Sequence, residues 1–174
     1  VNLKQDYQFF ATPAEYADWM VIRAGIERTH WILEPSAGDG AIVKEILRRV
    51  PTICVDCFEA MPENRVKLAA IPGARIVGED FLACTESYDR IIANPPFTNN
   101  QDIEHIRHMW ACLKPGGVLV TLASTHWTLT DQRKHQEFRE WLDEIGAERS
   151  AVEPGTFKAS GTSVGAVLIV ADKP

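Results

Sequence analysis

The 174-residue chain predicts a doubly wound α/β domain. Three observations carry that prediction. Short apolar runs alternate with stretches of helical periodicity. The runs are apolar on successive residues, as strands buried on both faces are. A glycine turn follows the first of them. The expected sheet is mostly parallel, with seven strands in the order 3-2-1-4-5-7-6, one antiparallel strand near an edge, and helices on both faces. A hydrophobic fraction of 45% suits one core, and residues 1–174 are read as a single domain.

The elements follow in order. Residues 13–23 have helical spacing, with Thr12 as the expected N-cap and Pro13 at the first helical position. Residues 30–34 (HWILE) form a first strand. Residues 40–50 bring Ile42, Val43, Ile46, Leu47 and Val50 to one helical face. Residues 52–58 are a second strand, 62–70 a short helix, 75–78 a third strand and 90–93 a fourth. Residues 101–113 carry Ile103, Ile106, Trp110 and Leu113 at helical spacing, and Lys114-Pro-Gly-Gly is expected to stop that helix before a strand at 118–123. A last helix spans 132–145, with Phe138, Trp141, Leu142 and Ile145 inward. Two strands, 149–153 and 164–171, close the chain without a helix between them, hence the antiparallel pairing.

A formal net charge of -6 argues against a surface coated in basic residues for non-specific nucleic-acid binding. No apolar run approaches the roughly 18 residues of a membrane span and no secretory signal opens the chain, so no membrane partner is expected. Cys54 and Cys57 form a CxxC, but no second pair closes a tetrahedral site and the stretch reads as a strand. A structural role for both, no metal and a reducing cytoplasmic setting are expected. His105 and His108, one helical turn apart without a third ligand, read as surface residues.

The chemistry concentrates at strand ends. The first strand runs into LEPSAGDGA, residues 33–41, where Gly38 and Gly40 permit a sharp turn and close approach of a ligand. The third glycine of a dinucleotide fingerprint is missing, and so is the lysine of a phosphate loop. Glu34 and Asp39 would repel a pyrophosphate and welcome an ammonium group. Glu59, followed by Ala60, ends the second strand at the position where a carboxylate accepts from ribose hydroxyls. After the third strand, Asp80 is placed to accept from an exocyclic amine and Phe81 to cover a purine. Ammonium site, ribose acceptor and adenine contact together describe a pocket for S-adenosylmethionine.

EPSAGDG resembles the signature loop of Rossmann-like S-adenosylmethionine-dependent methyltransferases. With Asn94-Pro95-Pro96-Phe97 it resembles the amino-methyltransferases, particularly those acting on adenine N6. The resemblance implies that Pro35, Ser36 and Ala37 join Glu34, Gly38, Asp39 and Gly40 around the cofactor, with Asn94 beside them. It also implies that the segment Phe10-Ala-Thr-Pro, through Thr12 and Pro13, closes over the methionine end. PGTFKASGT, residues 154–162, is similar to the loop that helps hold the target base.

The corner itself has a physical reading. A residue before proline is held extended, and neither proline can join the sheet ladder. The Asn94 side-chain oxygen and the Pro95 carbonyl can then accept both N–H groups of a weakly nucleophilic amine and aim its lone pair, so that transfer depends on positioning. Phe97 would stack on the flat target and Phe157 either covers its other face or packs in the core, with Lys158, His126 and Trp127 as further contacts. For a base in a duplex this implies flipping.

The motif reports the amine's chemistry, not its carrier. DNA adenine is preferred over RNA (adenine N6 or guanine N2) or a protein glutamine, and a non-catalytic cofactor-binding subunit is the reading from another class. The family's sequence-specific DNA enzymes usually carry a separate recognition domain, so either a specificity subunit or partner chain supplies it here or the enzyme is only weakly selective.

Overall fold

Consecutive apolar positions give each inner strand two buried faces, and the sheet uses both. The computed structural model describes residues 11–153, 155–157 and 165–174. The strands are β1 (Ile32–Glu34), β2 (Val55–Phe58), β3 (Ala74–Gly78), β4 (Tyr88–Ala93), β5 (Leu113–Ser124), β6 (Glu148–Ala151) and β7 (Ala166–Asp172). They lie in the expected order, β3-β2-β1-β4-β5-β7-β6. Neighbours from β3 to β5 are parallel, while β7 runs antiparallel to both β5 and β6. Among the described residues the helices are α1 (Ala14–Ala24), α2 (Ala41–Arg49), α3 (Pro62–Ala69), α4 (Gln101–Ala111) and α5 (Arg133–Glu144).

Side chains on the strands alternate between two cores. Ile32, Ile92 and Val120 face a layer built by α1, α2 and α3, through Met20, Ile42, Ile46 and Leu68. Leu33, Ile91 and Leu119 face α4 and α5, through Ile103, Ile106, Phe138 and Leu142. The edge strand β6 is exposed along its length and carries Glu148 and Arg149, charges that discourage further strand pairing.

Two expectations change. Thr12 does not cap α1: Pro13 occupies the cap position with extended backbone and no side-chain bond, which leaves Thr12 one residue too early, and its hydroxyl accepts from Asn94. The helix before β5 ends at Ala111, and Leu113 already pairs with Tyr88. Lys114-Pro-Gly-Gly is therefore an irregularity within β5, not a stop outside it. Gly116 takes φ +77° there, its N–H bonds Lys173 O at 2.8 Å, and Lys173 N–H returns to Gly117 O at 2.9 Å. Residues 79–87, joining β3 to β4, carry only the 3-10 turn Phe81–Ala83 where a full crossover helix would be usual.

Candidate active site

The carboxyl ends of β1 and β4 lie side by side where the strand order reverses, the place at which open α/β sheets bind ligands. The turn leaving β1 needs its glycines. Gly38 and Gly40 have φ +55° and +87°, and a Cβ at Gly40 would stand 2.4 Å from Ile71 Cδ1. Gly40 N–H closes the turn on Ala37 O at 2.8 Å, and Ala37 N–H bonds Phe58 O at 3.0 Å. Glu59, at the end of β2, accepts from Gly38 N–H and from Met61 N–H, both at 2.7 Å. Its carboxylate thus ties the glycine turn to β2, and each oxygen keeps a further lone pair for a ligand.

Glu34 is 1% exposed. Its Oε1 accepts from Ser36 N–H at 3.0 Å, and no basic side chain among the described residues pairs with it. Burial pushes its carboxyl up to about 8, and the nearby Glu59 charge adds to the rise while the Ser36 N–H opposes it. A buried carboxylate without a counter-charge is costly, and an ammonium ion is the group that would relieve it.

β4 ends at Ala93 and Asn94-Pro95-Pro96 turns the chain away. Asn94 Nδ2 donates to Thr12 Oγ1 at 3.1 Å. Thr12, Glu34, Ser36, Ala37, Asp39 and Asn94 line one cleft with room for about one water, ≈ 10 Å³, so a nucleoside-sized ligand requires its walls to part. Pro13, Pro35, Gly38 and Gly40 flank these residues in the chain. Phe97 is half-buried and rests against the α1-side core.

Beyond the corner, Asn99 and Asn100 both take left-handed backbone, with φ +54° and +58°. That conformation is uncommon for non-glycine residues and persists where neighbours hold it. His135, buried on α5, holds it here: its Nε2 lies 3.0 Å from Asn100 Oδ1, and Thr130 Oγ1 closes on its Nδ1. With Nε2–H donating to the amide oxygen, Nδ1 is the acceptor for the threonine hydroxyl. Burial lowers the His135 pKa, consistent with that neutral ring. Asp102, fully buried in the first turn of α4, accepts from Ser124 N–H at 2.8 Å and fastens the helix after the corner to the end of β5. Sequence reasoning missed both clamps. For His135 the signal was present, since it shares one face of α5 with Phe138 and Leu142.

Several aromatic expectations are corrected. Phe81 is 2% exposed, its ring set against Phe58, His105 and His108 at 5.7, 5.7 and 4.8 Å. It fills the space left where no helix joins β3 to β4, so its ring is turned into the core and not towards an open pocket. His105 and His108 are partly buried against that ring and are not free surface groups, and His108 Nε2 meets Cys84 O at 3.0 Å. Trp127 is 1% exposed and stands edge-on to Phe138 at 5.0 Å, within the core. Phe157 is 7% exposed and packs on Tyr16 of α1 at 5.9 Å. His126 is exposed. Lys158 and Phe10 lie outside the described residues.

Ala60 follows Glu59 at the mouth of the β2 end, its carbonyl accepting from Arg65 at 2.7 Å. Asp80 Oδ1 caps the 3-10 turn through Leu82 N–H at 2.9 Å. It lines a separate groove of about 600 Å³ along β2 and β3, with Phe58, Val77 and Tyr88. That larger groove contains neither Glu34 nor Asn94, which both line the smaller cleft. Cys57 is buried in β2 while Cys54 is exposed.

No family model matches this chain, and no curated protein does. Solved structures do. The type I restriction enzyme EcoKI M protein matches with TM-score 0.73 and 15% identity over 95% of this chain and 44% of its own. The 23S rRNA methyltransferase ErmE matches with TM-score 0.66 and 16% identity over 95% of this chain and 70% of its own. The plantazolicin methyltransferase BpumL, solved with S-adenosylhomocysteine (SAH), matches with TM-score 0.58 and 11% identity over 94% of this chain and 83% of its own. At these identities the likeness shows the fold, a Rossmann-like one that these proteins share. The chain spans less than half the length of the M protein.

Proposed function

We propose that the chain is an S-adenosylmethionine-dependent N-methyltransferase acting on the N6 of adenine in DNA. The observation that carries this reading is one cleft lined by both a buried, counter-charge-seeking carboxylate, Glu34, and the amide of Asn94 at a proline-stiffened strand end. The cofactor suits the residues present. Glu34 offers a partner to its ammonium group, the Gly38–Gly40 turn admits close approach, and Glu59 keeps lone pairs for ribose hydroxyls. When bound, it supplies an activated methyl group on a sulfonium.

The protein's part is positioning. Asn94 and the Pro95 carbonyl accept the target N–H groups and turn the nitrogen lone pair out of the ring's conjugation. Phe97 offers a flat surface to the base, and no general base is needed before transfer. DNA is preferred because EPSAGDG and NPPF in combination resemble the N6-adenine DNA methyltransferases; the NPPF corner by itself reports only a planar amine. A partner chain would supply sequence recognition, in keeping with a neighbour that is itself the M protein of a restriction enzyme.

The test combines protein, S-adenosylmethionine and unmethylated DNA, followed by digestion to nucleosides and mass spectrometry. N6-methyladenine should form with the unsubstituted protein. Asn94→Ala should lower transfer by about 10²–10³-fold while cofactor affinity stays within a factor of about three. Methylation appearing in RNA and not in DNA would move the substrate assignment. An Asn94→Ala variant of near-normal rate would sink the mechanism.

A further inference from the structure

Leu129 is 93% exposed, against 73% for Val66 and 59% for Trp31 among the exposed large apolar side chains. Single exposed leucines are common on protein surfaces. This one differs in how its neighbours are held. On one side Trp127 is rooted in the core against Phe138, and its carbonyl accepts from Arg139. On the other, Thr130 O accepts from the same Arg139 at 3.1 Å, and the Thr130 hydroxyl meets buried His135. Thr128 closes a turn onto Thr125 O through both its N–H, at 3.1 Å, and its hydroxyl, at 2.7 Å. A fully apolar side chain is therefore presented to solvent from a loop whose flanks are fixed.

The same contacts locate it. Through Thr130, His135 and Asn100 the loop is bonded directly to the segment leaving the Asn94–Phe97 corner. β4 and β5 are adjacent, with Ala93 opposite Thr121, so corner and loop leave the same end of the sheet. Exposed His126 and Lys134 stand on either side of the tip in the chain, with exposed Asp131 between the tip and Lys134. An apolar tip on a tethered loop, at the same end of the sheet as the proline corner, fits the base stack of a duplex better than a free nucleotide.

We propose that Leu129 is a wedge that enters the base stack of duplex DNA and occupies the space left by the extruded target base. The proposal rests on the reading of the chain as a DNA methyltransferase. Unstacking a base costs a few kcal/mol, and an inserted apolar side chain offsets part of that cost. A single strand needs no such help. At its exposure Leu129 contributes nothing to the core, so substitution leaves the fold intact.

The experiment measures kcat/KM for one oligonucleotide as a duplex and as a single strand, with unsubstituted protein, Leu129→Ala and Leu129→Met. Leu129→Ala should lose about tenfold or more on the duplex, a difference of roughly 1.4 kcal/mol, and less than about twofold on the single strand. Leu129→Met, which keeps a long apolar side chain, should stay near the unsubstituted value on both. Equal losses on both forms, or no loss on the duplex, overturn the wedge and leave the methyltransferase reading standing. Transfer to single strands alone does the same. No transfer to either form by the unsubstituted protein overturns the reading, and the wedge with it.

Discussion

Replacing Glu34 by Gln should stabilise the cofactor-free protein while weakening its grip on the cofactor. Gln keeps the shape of the side chain and an oxygen to accept from Ser36 N–H, but removes the charge. In the unfolded chain the carboxyl titrates near its ordinary value of 4.5, and in the fold burial pushes it up to about 8. A raised folded pKa makes the folded state favourable to the protonated form. The associated stability is complete below the unfolded value and is lost as pH rises towards the folded one. At one pKa unit per ~1.4 kcal/mol, the deficit is about 3 kcal/mol at pH 7 and reaches about 5 kcal/mol above pH 8. Urea unfolding of both proteins without cofactor, at about pH 5, 7 and 8.5, should show an advantage for Glu34→Gln that is small in acid and grows with pH. At neutral pH it amounts to a rise in midpoint temperature of roughly 6–12 °C for a domain of this size.

The linked binding measurement runs the other way. Below pH 8 the cofactor's ammonium must displace a proton from Glu34. Affinity of the unsubstituted protein should therefore climb with pH and level near 8, whereas Glu34→Gln should bind at least tenfold more weakly and without that slope. A Gln variant less stable than the parent at every pH, or an advantage that does not vary with pH, would refute the argument that Glu34 is a buried carboxylate awaiting a cation.

Two further substitutions test the surrounding geometry. Thr12→Val removes the oxygen that accepts from Asn94 Nδ2 while keeping the side chain's shape; it should cost about 1 kcal/mol of stability and lower the maximal transfer rate, whereas Thr12→Ser should preserve both, as read by urea unfolding and single-turnover kinetics. Trp127→Ala should cost about 3–5 kcal/mol of stability, since it empties a core site against Phe138, and a ligand-contact role would predict instead a stable protein with altered substrate affinity.

The strand order and both core layers were legible because consecutive apolar positions, helical spacing and the glycine turn each constrain the same topology. Lys114-Pro-Gly-Gly was not legible as strand. Those residues have the local chemistry of a turn, and it is the return of Lys173 on the antiparallel neighbour that makes them a bulge within β5. The threonine before Pro13 likewise has the local chemistry of a cap. Its hydroxyl bonds instead to a residue far along the chain, which no local pattern contains.

The candidate site divides along the same line. Gly38 and Gly40 act through backbone conformations that belong to glycine itself, and they adopt the positive φ that a turn of this kind demands. Pro95 and Pro96 act through a missing N–H and a restricted torsion, and β4 stops one residue before Asn94. Such properties travel with the residue and survive any tertiary context. An aromatic ring on a loop has no such local instruction. Phe81, Trp127 and Phe157 sit on connections near strand ends, where a ring can cover a ligand or turn inward. The direction is set by what the neighbouring elements leave unfilled. Phe81 turns inward because the short β3–β4 connection provides no helix to cover Phe58. Trp127 turns inward because Phe138 on α5 leaves a place for it, while Leu129, two residues later, is exposed to solvent.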